Sequence, residues 1–355
     1  MKANTADKLS IKHIVNSKIT SVDFNNLDFG KTFTDYMFEC DYVDGQWKNP
    51  TIKPYGPMII DPSARVFHYG QAVFEGMKAF KDDHGEVWLF RPEQNFERIN
   101  LSSKRLAIPE FPKEFFFEGL TTLLKLDKDW IKPGFGNALY IRPFVIATEP
   151  AIAASPAEQY KFMIICSPAK AYYTGEIRVL FAEKYSRSAH GGVGFAKAAG
   201  NYGAQFYPTN LANQAGFQQI IWTDAIQHEY LEEAGTMNIF FRVGDKLLTA
   251  PTNDRILDGI TRKSILQIAQ DIGVSCEVRP VSVTEIKAAA QEGKLKEMFG
   301  TGTAAVISTI SAFKHADDLY ELPELENSYA SKLKNTLLNI QYNVSPDPHG
   351  WRYKI

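Results

Sequence analysis

The sequence lacks the marks of a secreted, membrane-spanning or nucleic-acid-binding chain. Its 355 residues include three cysteines, Cys40, Cys166 and Cys276, odd in number and far apart. That spacing supports neither a disulfide framework nor a C-x-x-C metal or redox pair. Purely apolar runs end after a few residues, as in Phe144–Ala147 and Phe162–Cys166, which is too short for a transmembrane helix. Neither sign of charge dominates: 39 basic residues stand against 41 acidic ones, for a net charge of -2. Nucleic acid is therefore not an expected partner. The seven histidines are scattered, and with no H-E-x-x-H no metal site is expected. The phosphate loop G-x-x-x-x-G-K-[ST] and the G-x-S-x-G elbow are also missing. The opening stretch MKANTADKLSIKHIV has no apolar signal-peptide core, and Asp7 breaks the acid-free character of a transit peptide. A soluble, cytoplasmic protein is the expectation.

What is there is ordinary globular composition, 45% hydrophobic and 23% charged, with a length suited to two domains of roughly 150–200 residues each. No fixed-period repeat or low-complexity tract interrupts it. Strands are expected at Phe33–Val43 before the turn Asp44-Gly45, at Met77–Phe80 and at Val87–Phe90. Pro92 opens a helix carrying Phe96, Ile99, Leu101 and Leu106 near helical spacing, and a second helix spans about Lys113–Leu126. Strands Ala138–Thr148 and Lys161–Ser167 follow, then the polar and aromatic stretch PAKAYYTGEI. We place an interdomain connector there, at residues 169–177, between a smaller N-terminal α/β domain (1–168) and a larger C-terminal domain (178–355). Strands Arg178–Glu183, Gln219–Thr223, Asn238–Val243 and Lys246–Ala250 and a final helix Tyr329–Ile340 are expected in the latter. Strands alternating with helices give a mixed α+β class, and the hairpin turns argue against a doubly wound parallel sheet.

One motif invites a dinucleotide reading. Gly300-Thr301-Gly302-Thr303-Ala304-Ala305 fits G-x-G-x-x-A, which requires a buried strand before it and a helix after it. KLKEMF in front is too charged for such a strand, and AVISTI behind is β-branched. A nicotinamide-dependent oxidoreductase therefore stays a remote alternative.

The most informative stretch is Ser188–Thr223, where Lys197 is the single lysine and there is no arginine, aspartate or glutamate. Lys197 sits in HGGVGFAKAAGNYG, whose small residues let a bulky ligand approach the backbone. Desolvation in such a setting favours the neutral amine, the form that attacks a carbonyl. Alone, such a lysine is more often an exposed loop residue. An aldehyde cofactor such as pyridoxal phosphate also needs an acid at its ring nitrogen, a donor to its ring oxygen and an anion site for its phosphate. Glu233 in EAGTMN is a candidate acid, although Glu229, Glu232 and Glu233 equally suit a solvated acidic turn. Tyr202 is a candidate donor. Thr261 at an expected helix start and Thr303 in the GTGTA loop are candidate phosphate ligands, each by itself equally suited to capping or turn chemistry.

At these residues the chain resembles the branched-chain-amino-acid transaminases, the L-selective members of the fold-type IV pyridoxal-phosphate enzymes. The match runs through FGKTFTDYM at Phe29, HYGQAVFEGMKAF at His68, LFRPEQNFERI at Leu89, LYIRPF at Leu139, GGVGFAKAAGNYG at Gly191, EEAGTMNIFF at Glu232, LDGITRKSI at Leu257 and GTGTAAVIS at Gly300. FEGMKAF, the lysine motif and EAGTMN together are its specific part, and the arrangement is nearer the animal-type branch than the shorter bacterial one. The resemblance implies a two-domain fold whose site lies between the domains and at a homodimer interface, with the cofactor on the C-terminal domain. It implies that Lys197 carries pyridoxal 5′-phosphate as an aldimine and shuttles the proton. Glu233 would pair with the pyridine nitrogen and Tyr202 with the ring oxygen. Arg98, Ile260, Thr261 and Thr303 would hold the phosphate, with Arg187 nearby. Phe29, Phe74, Tyr140, Tyr172, Thr236, Met237 and Ala304 would line the substrate pocket. Tyr69, Ile152 and Ala154 would come from the partner subunit, and Tyr69, Tyr140 and Arg142 would serve a second carboxylate.

The implied activity is reversible, ping-pong amino transfer from L-leucine, L-isoleucine or L-valine to 2-oxoglutarate, since one methylene changes binding by only about 1–3 kcal/mol. A D-amino-acid transaminase and an aminodeoxychorismate lyase share the fold and remain alternatives, and a catalytically silent binding protein is a third. Where mammalian members carry C-x-x-C after GTGTA, this chain has Ala305 and Ser308, which rules out a thiol switch there. Cys166 and Cys276 are expected as packed thiols.

Overall fold

A computed structural model describes residues 8–170 and 177–355. The chain divides into two compact units: Met1–Tyr172 with Ala196–Gly200 and Ile340–Ile355, and Tyr173–Phe195 with Asn201–Asn339. The first unit thus reclaims two pieces that the sequence reading gave to the C-terminal domain, and it is the larger of the two, not the smaller. Long-range backbone pairing is the reason. The Phe74 N–H donates to the Lys197 carbonyl at 3.1 Å, and Val73 bridges Ala198. Strand Arg352–Lys354 pairs antiparallel with Val87–Phe90. Of the connector at 169–177, only the two ends fall among the described residues.

The first unit is built on a nine-stranded sheet. Its order runs Ser10–Ile11, Gln46–Pro54, Tyr36–Val43, Tyr160–Ala169, Ala138–Ala147, Met77–Lys81, Val87–Phe90 and Arg352–Lys354, with Ala72–Phe74 also pairing with Ala138–Ala147. Asp44 and Gly45 both take positive φ, 53° and 77°, the type I′ hairpin turn that the Asp-Gly dipeptide favours. Helices Pro92–Arg105 and Lys113–Leu126 close the core around buried Phe38, Phe111, Phe116 and Phe162. The rings of Phe111 and Phe162 stack 3.7 Å apart. Of the four apolar residues aligned on the first helix, Ile99 is fully buried whereas Leu101 is exposed. The buried face of that helix is instead largely polar, with Asn95, Arg98, Ser102 and Ser103 enclosed.

Just past the second helix, Asp127 is 1% exposed. Burial pushes its carboxyl up to about 7; Asp35 adds to the shift, and the Thr34 hydroxyl with the backbone amides of Tyr36 and Asp35 opposes it. The folded chain therefore keeps this proton to about pH 7, whereas the unfolded chain releases it near 3.8. Native stability falls over that window as pH rises. Asp127→Asn should match the wild type near pH 4 and exceed it by about 4 kcal/mol at pH 8. Urea unfolding at the two pH values checks this, and a gap independent of pH overturns it.

The second unit carries a ten-stranded sheet of mixed direction. Asn238–Val243, Leu295–Gly302, Val306–His315, Ile177–Phe181, Gln219–Thr223 and Tyr230–Ala234 follow one another in it, and the last pairs back to the first through Glu233 and Asn238. This ring of strands encloses Val179, Phe181, Ile221, Ile239, Phe241, Met298 and Phe313. All of KLKEMF but its first lysine lies in strand Leu295–Gly302, despite the charges that argue against a buried strand. Its charges are accommodated one by one: Lys296 donates to the Gly293 carbonyl, and buried Glu297 pairs with Arg242 at 2.6 Å. The GTGTAA segment is the hairpin joining this strand to Val306–His315, not a strand-to-helix turn. Glu297 also accepts from the amides of Tyr329 and Ala330, which anchors the start of helix Tyr329–Gln341. No helix among the described residues is long and apolar enough to cross a membrane.

Candidate active site

In the first unit, Lys197 is fixed through its main chain. Its N–H donates to Ser102 Oγ at 2.9 Å, and its carbonyl accepts from Phe74. The side chain is half-buried, and Nζ lies 4.7 Å from the Phe74 ring centroid. The guanidinium of Arg142 lies 4.6 Å from the centroid of the same ring. Tyr140 and Arg142, two apart on strand Ala138–Ala147, lie on one side of the sheet. Arg142 Nη2 donates to the Tyr140 hydroxyl at 3.0 Å, and Phe29 meets the Tyr140 ring edge-on at 5.0 Å. Gly76 is obligatory here, because a Cβ would sit 2.2 Å from the Tyr140 hydroxyl. Phe29, Phe74, Tyr140, Arg142 and Lys197 thus lie together in this unit.

Arg98 points into the same unit, but onto a partner the sequence reading did not assign. Arg98 Nε and Nη2 donate to the two Glu75 oxygens at 2.6 and 2.9 Å. Asn95, one helical turn earlier, donates to Glu75 Oε2 at 2.7 Å. Burial alone would push the Glu75 carboxyl up, but Arg98, together with Lys197 and Asn95, holds it below the usual carboxylate range. Asn95, Arg98 and Ser102 recur at helical spacing on one face of Pro92–Arg105, a polar stripe that would have identified them. Tyr69 and Ile152 are both exposed, and the Tyr69 hydroxyl donates to the Ile152 carbonyl. Ala154 beside them is exposed as well. Tyr172 lies outside the described residues.

In the second unit, Glu233 is no solvated turn. It sits on strand Tyr230–Ala234, 4% exposed, where the ring of strands closes. Arg187 Nη1 pairs with its Oε1 at 2.8 Å, and the Leu257 N–H donates to that oxygen at 3.1 Å. Asn238 Nδ2 reaches Oε2 at 3.2 Å and the Leu257 carbonyl at 3.0 Å. Arg187 is in turn held by the carbonyls of Gly194 and Arg255, both at 3.1 Å. Glu232, pointing to the other side of the strand, is buried against Arg255, and burial raises its carboxyl. Asn238 was not anticipated from sequence; its distance in space from the motif residues Leu257 and Gly259 is set by folding alone.

The same unit offers an anion site. Helix Ile260–Asp271 starts without a side-chain cap, its first turn buried at Ile260 and Thr261. The first-turn amides of a helix without such a cap suit a phosphate. Gly259 must be glycine, since a Cβ would meet Asn238 Oδ1 at 1.9 Å. Thr303 and Ala304 lie in the turn between Leu295–Gly302 and Val306–His315, where Val306 is held at φ 58°. A β-branched residue in that region is strained. Gly302 brings this turn to the next one, since its Cβ would lie 3.2 Å from the Thr236 carbonyl, and Met237 packs beneath Gly300. Thr236 is exposed and Met237 buried. Tyr202 is half-buried in the short helix Ala199–Gly203.

A buried carboxylate backed by arginine, an uncapped helix start and a backbone-fixed lysine are what pyridoxal phosphate chemistry requires of its protein. Residues 72–313 match the model of the amino-transferase class IV family. A probable branched-chain-amino-acid aminotransferase of Staphylococcus epidermidis is 46% identical over 339 residues, covering 94% of each chain. The chain belongs to the class IV aminotransferases. Among other members, branched-chain-amino-acid transaminase 1 of Bacillus subtilis is 42% identical, covering 94% of this chain and 95% of that one. The branched-chain aminotransferase of Thermoproteus uzoniensis, solved with norvaline, superposes with a TM-score of 0.73 at 23% identity, over 89% of this chain and 99% of that one. The Escherichia coli branched-chain aminotransferase gives 0.71 at 20% identity, over 89% and 98%. Both confirm the class IV fold.

Proposed function

We propose that the protein transfers the amino group of L-leucine, L-isoleucine or L-valine to 2-oxoglutarate, reversibly, with pyridoxal 5′-phosphate as cofactor. The 46% identity with a relative named for this activity, over 94% of both chains, is the observation that carries it. The cofactor, when bound, supplies the electron sink for the pair left by the departing α-proton. Lys197 binds it and moves that proton. Glu233, backed by Arg187, keeps the pyridine nitrogen protonated, and Tyr202 donates to the ring oxygen. Arg98, the amides of Ile260 and Thr261, and the Thr303 hydroxyl hold the phosphate. Phe29, Phe74 and Tyr140 offer an apolar surface to the aliphatic side chain, and amides near Thr236 and Ala304 take the α-carboxylate. Arg142 and Tyr140, with Tyr69, receive the second carboxylate of 2-oxoglutarate or glutamate. Phe67, Tyr69 and Ile152 are exposed apolar residues at 59%, 47% and 70%, which supports a homodimer in which Tyr69, Ile152 and Ala154 complete the partner's site. Cys40, Cys166 and Cys276 are thiols outside any disulfide, which fits a cytoplasmic location.

The deciding measurement is the visible absorption of the purified protein. L-Leucine should bleach the cofactor band and 2-oxoglutarate restore it, and the same sample should sediment as a dimer. A band that ignores L-leucine but answers D-alanine would move the activity to a relative of the same fold, and a monomer active at the same concentration would remove the shared site.

A further inference from the structure

Glu75 has no role in the reaction as described, yet its placement is costly. Its side chain is 0% exposed, and an ionised carboxylate in that position costs several kcal/mol unless it is fully paired. A well-packed apolar residue would serve a core as well or better. Four donor contacts meet the charge instead: Arg98 Nε and Nη2 at 2.6 and 2.9 Å, Asn95 Nδ2 at 2.7 Å and the Gly76 N–H at 3.1 Å. The two Arg98 bonds are of the fork type, which fixes the plane of the guanidinium as well as its position. They commit the Nε–Nη2 edge of that group to Glu75. The residue before Glu75 is Phe74, whose N–H holds the Lys197 carbonyl and whose ring lies against Lys197 Nζ. One strand end therefore reaches both the arginine and the lysine.

We propose that Glu75 is a positioning residue: its carboxylate sets the Arg98 guanidinium in the orientation that takes the cofactor's phosphate, and places a negative charge beside Lys197. This rests on the roles given above to Arg98 and Lys197. Arg98 and Lys197 are the ionisable groups that act most strongly on Glu75, and Asn95 is a further side-chain donor to it.

The test compares Glu75→Gln with the wild type, each stripped of cofactor and titrated with pyridoxal 5′-phosphate and, separately, with pyridoxal. Loss of one charge-assisted contact corresponds to about tenfold in affinity. Pyridoxal 5′-phosphate should bind at least about tenfold more weakly to the variant, while pyridoxal changes by less than about threefold. The pH midpoint of the visible band should fall, because a negative charge that favours the protonated nitrogen is gone. Equal losses for both ligands, or an unmoved midpoint, would reduce Glu75 to a structural residue and overturn the proposal. Should Glu75→Gln not fold, Asn95→Ala removes one donor and keeps the ion pair. A smaller loss confined to the phosphorylated ligand is expected of it, and no loss overturns the proposal. A wild type that forms no visible band with pyridoxal 5′-phosphate overturns the reading of Lys197 itself.

Discussion

Lys197→Ala should abolish multiple turnover and leave the fold intact. The anchors of this residue are main-chain groups: its N–H on Ser102 Oγ, its carbonyl on the Phe74 amide, and the neighbouring bridge between Val73 and Ala198. Alanine keeps all three. The side chain is only half-buried, so truncation leaves no sealed cavity, and the stability change should stay within about 1 kcal/mol. On the role proposed for Lys197, the chemistry loses both the covalent attachment and the group that carries the α-proton, and proton transfer by a positioned side chain alone is worth about 10²–10⁴-fold. We expect kcat to fall by at least about 10³-fold, with the visible band lost. Pyridoxal 5′-phosphate should still be retained through its phosphate, since Arg98, Thr261 and Thr303 are untouched. Activity within tenfold of the wild type would remove Lys197 from its role; a collapsed melting curve would mean that the side chain is structural.

How much of this was legible in the sequence depended on the range of the interaction. Lys197 stood out because it is the single lysine in a stretch without arginine or carboxylates, and Glu233 because its motif is distinctive. The hairpin at Asp44-Gly45 and the helices at Pro92 and Lys113 follow from local turn chemistry and periodicity. Glu75 is not legible although it stands inside FEGMKAF, because a lone carboxylate between two short strands is explained only by Arg98, 23 residues on. Asn238 is meaningful only through the Glu233 oxygen and the Leu257 carbonyl that folding brings to it. The strand at Leu295–Gly302 was hidden because Glu297 is neutralised by Arg242, 55 residues away in sequence. The return of Arg352–Lys354 to the first sheet is likewise a long-range pairing with no local signal.

Glu233→Gln should carry the second-largest effect, and it separates charge from shape. Alanine and glutamine both leave Arg187 buried without its counter-charge, but alanine also removes the acceptor of Arg187 and of the Leu257 N–H, where breaking a buried pair outright costs about 3–5 kcal/mol. Glutamine keeps the volume and an oxygen for the Leu257 amide and Arg187, so the ring closure between Glu233 and Asn238 should persist. What it cannot do is hold a proton on the pyridine nitrogen, because an amide offers that nitrogen a neutral dipole in place of a negative charge. Without the protonated ring the electron sink weakens, and the penalty falls on the step that removes the α-proton. The rate of the single half-reaction with L-leucine should drop by about 10²–10³-fold. Affinity for pyridoxal 5′-phosphate should change far less, because the residues proposed to hold its phosphate are others. Stopped-flow bleaching of the visible band reads the first quantity and equilibrium titration the second. A variant with the wild-type half-reaction rate would show that Arg187 and Asn238 hold Glu233 for the strand closure alone, and another group would then have to be sought for the ring nitrogen.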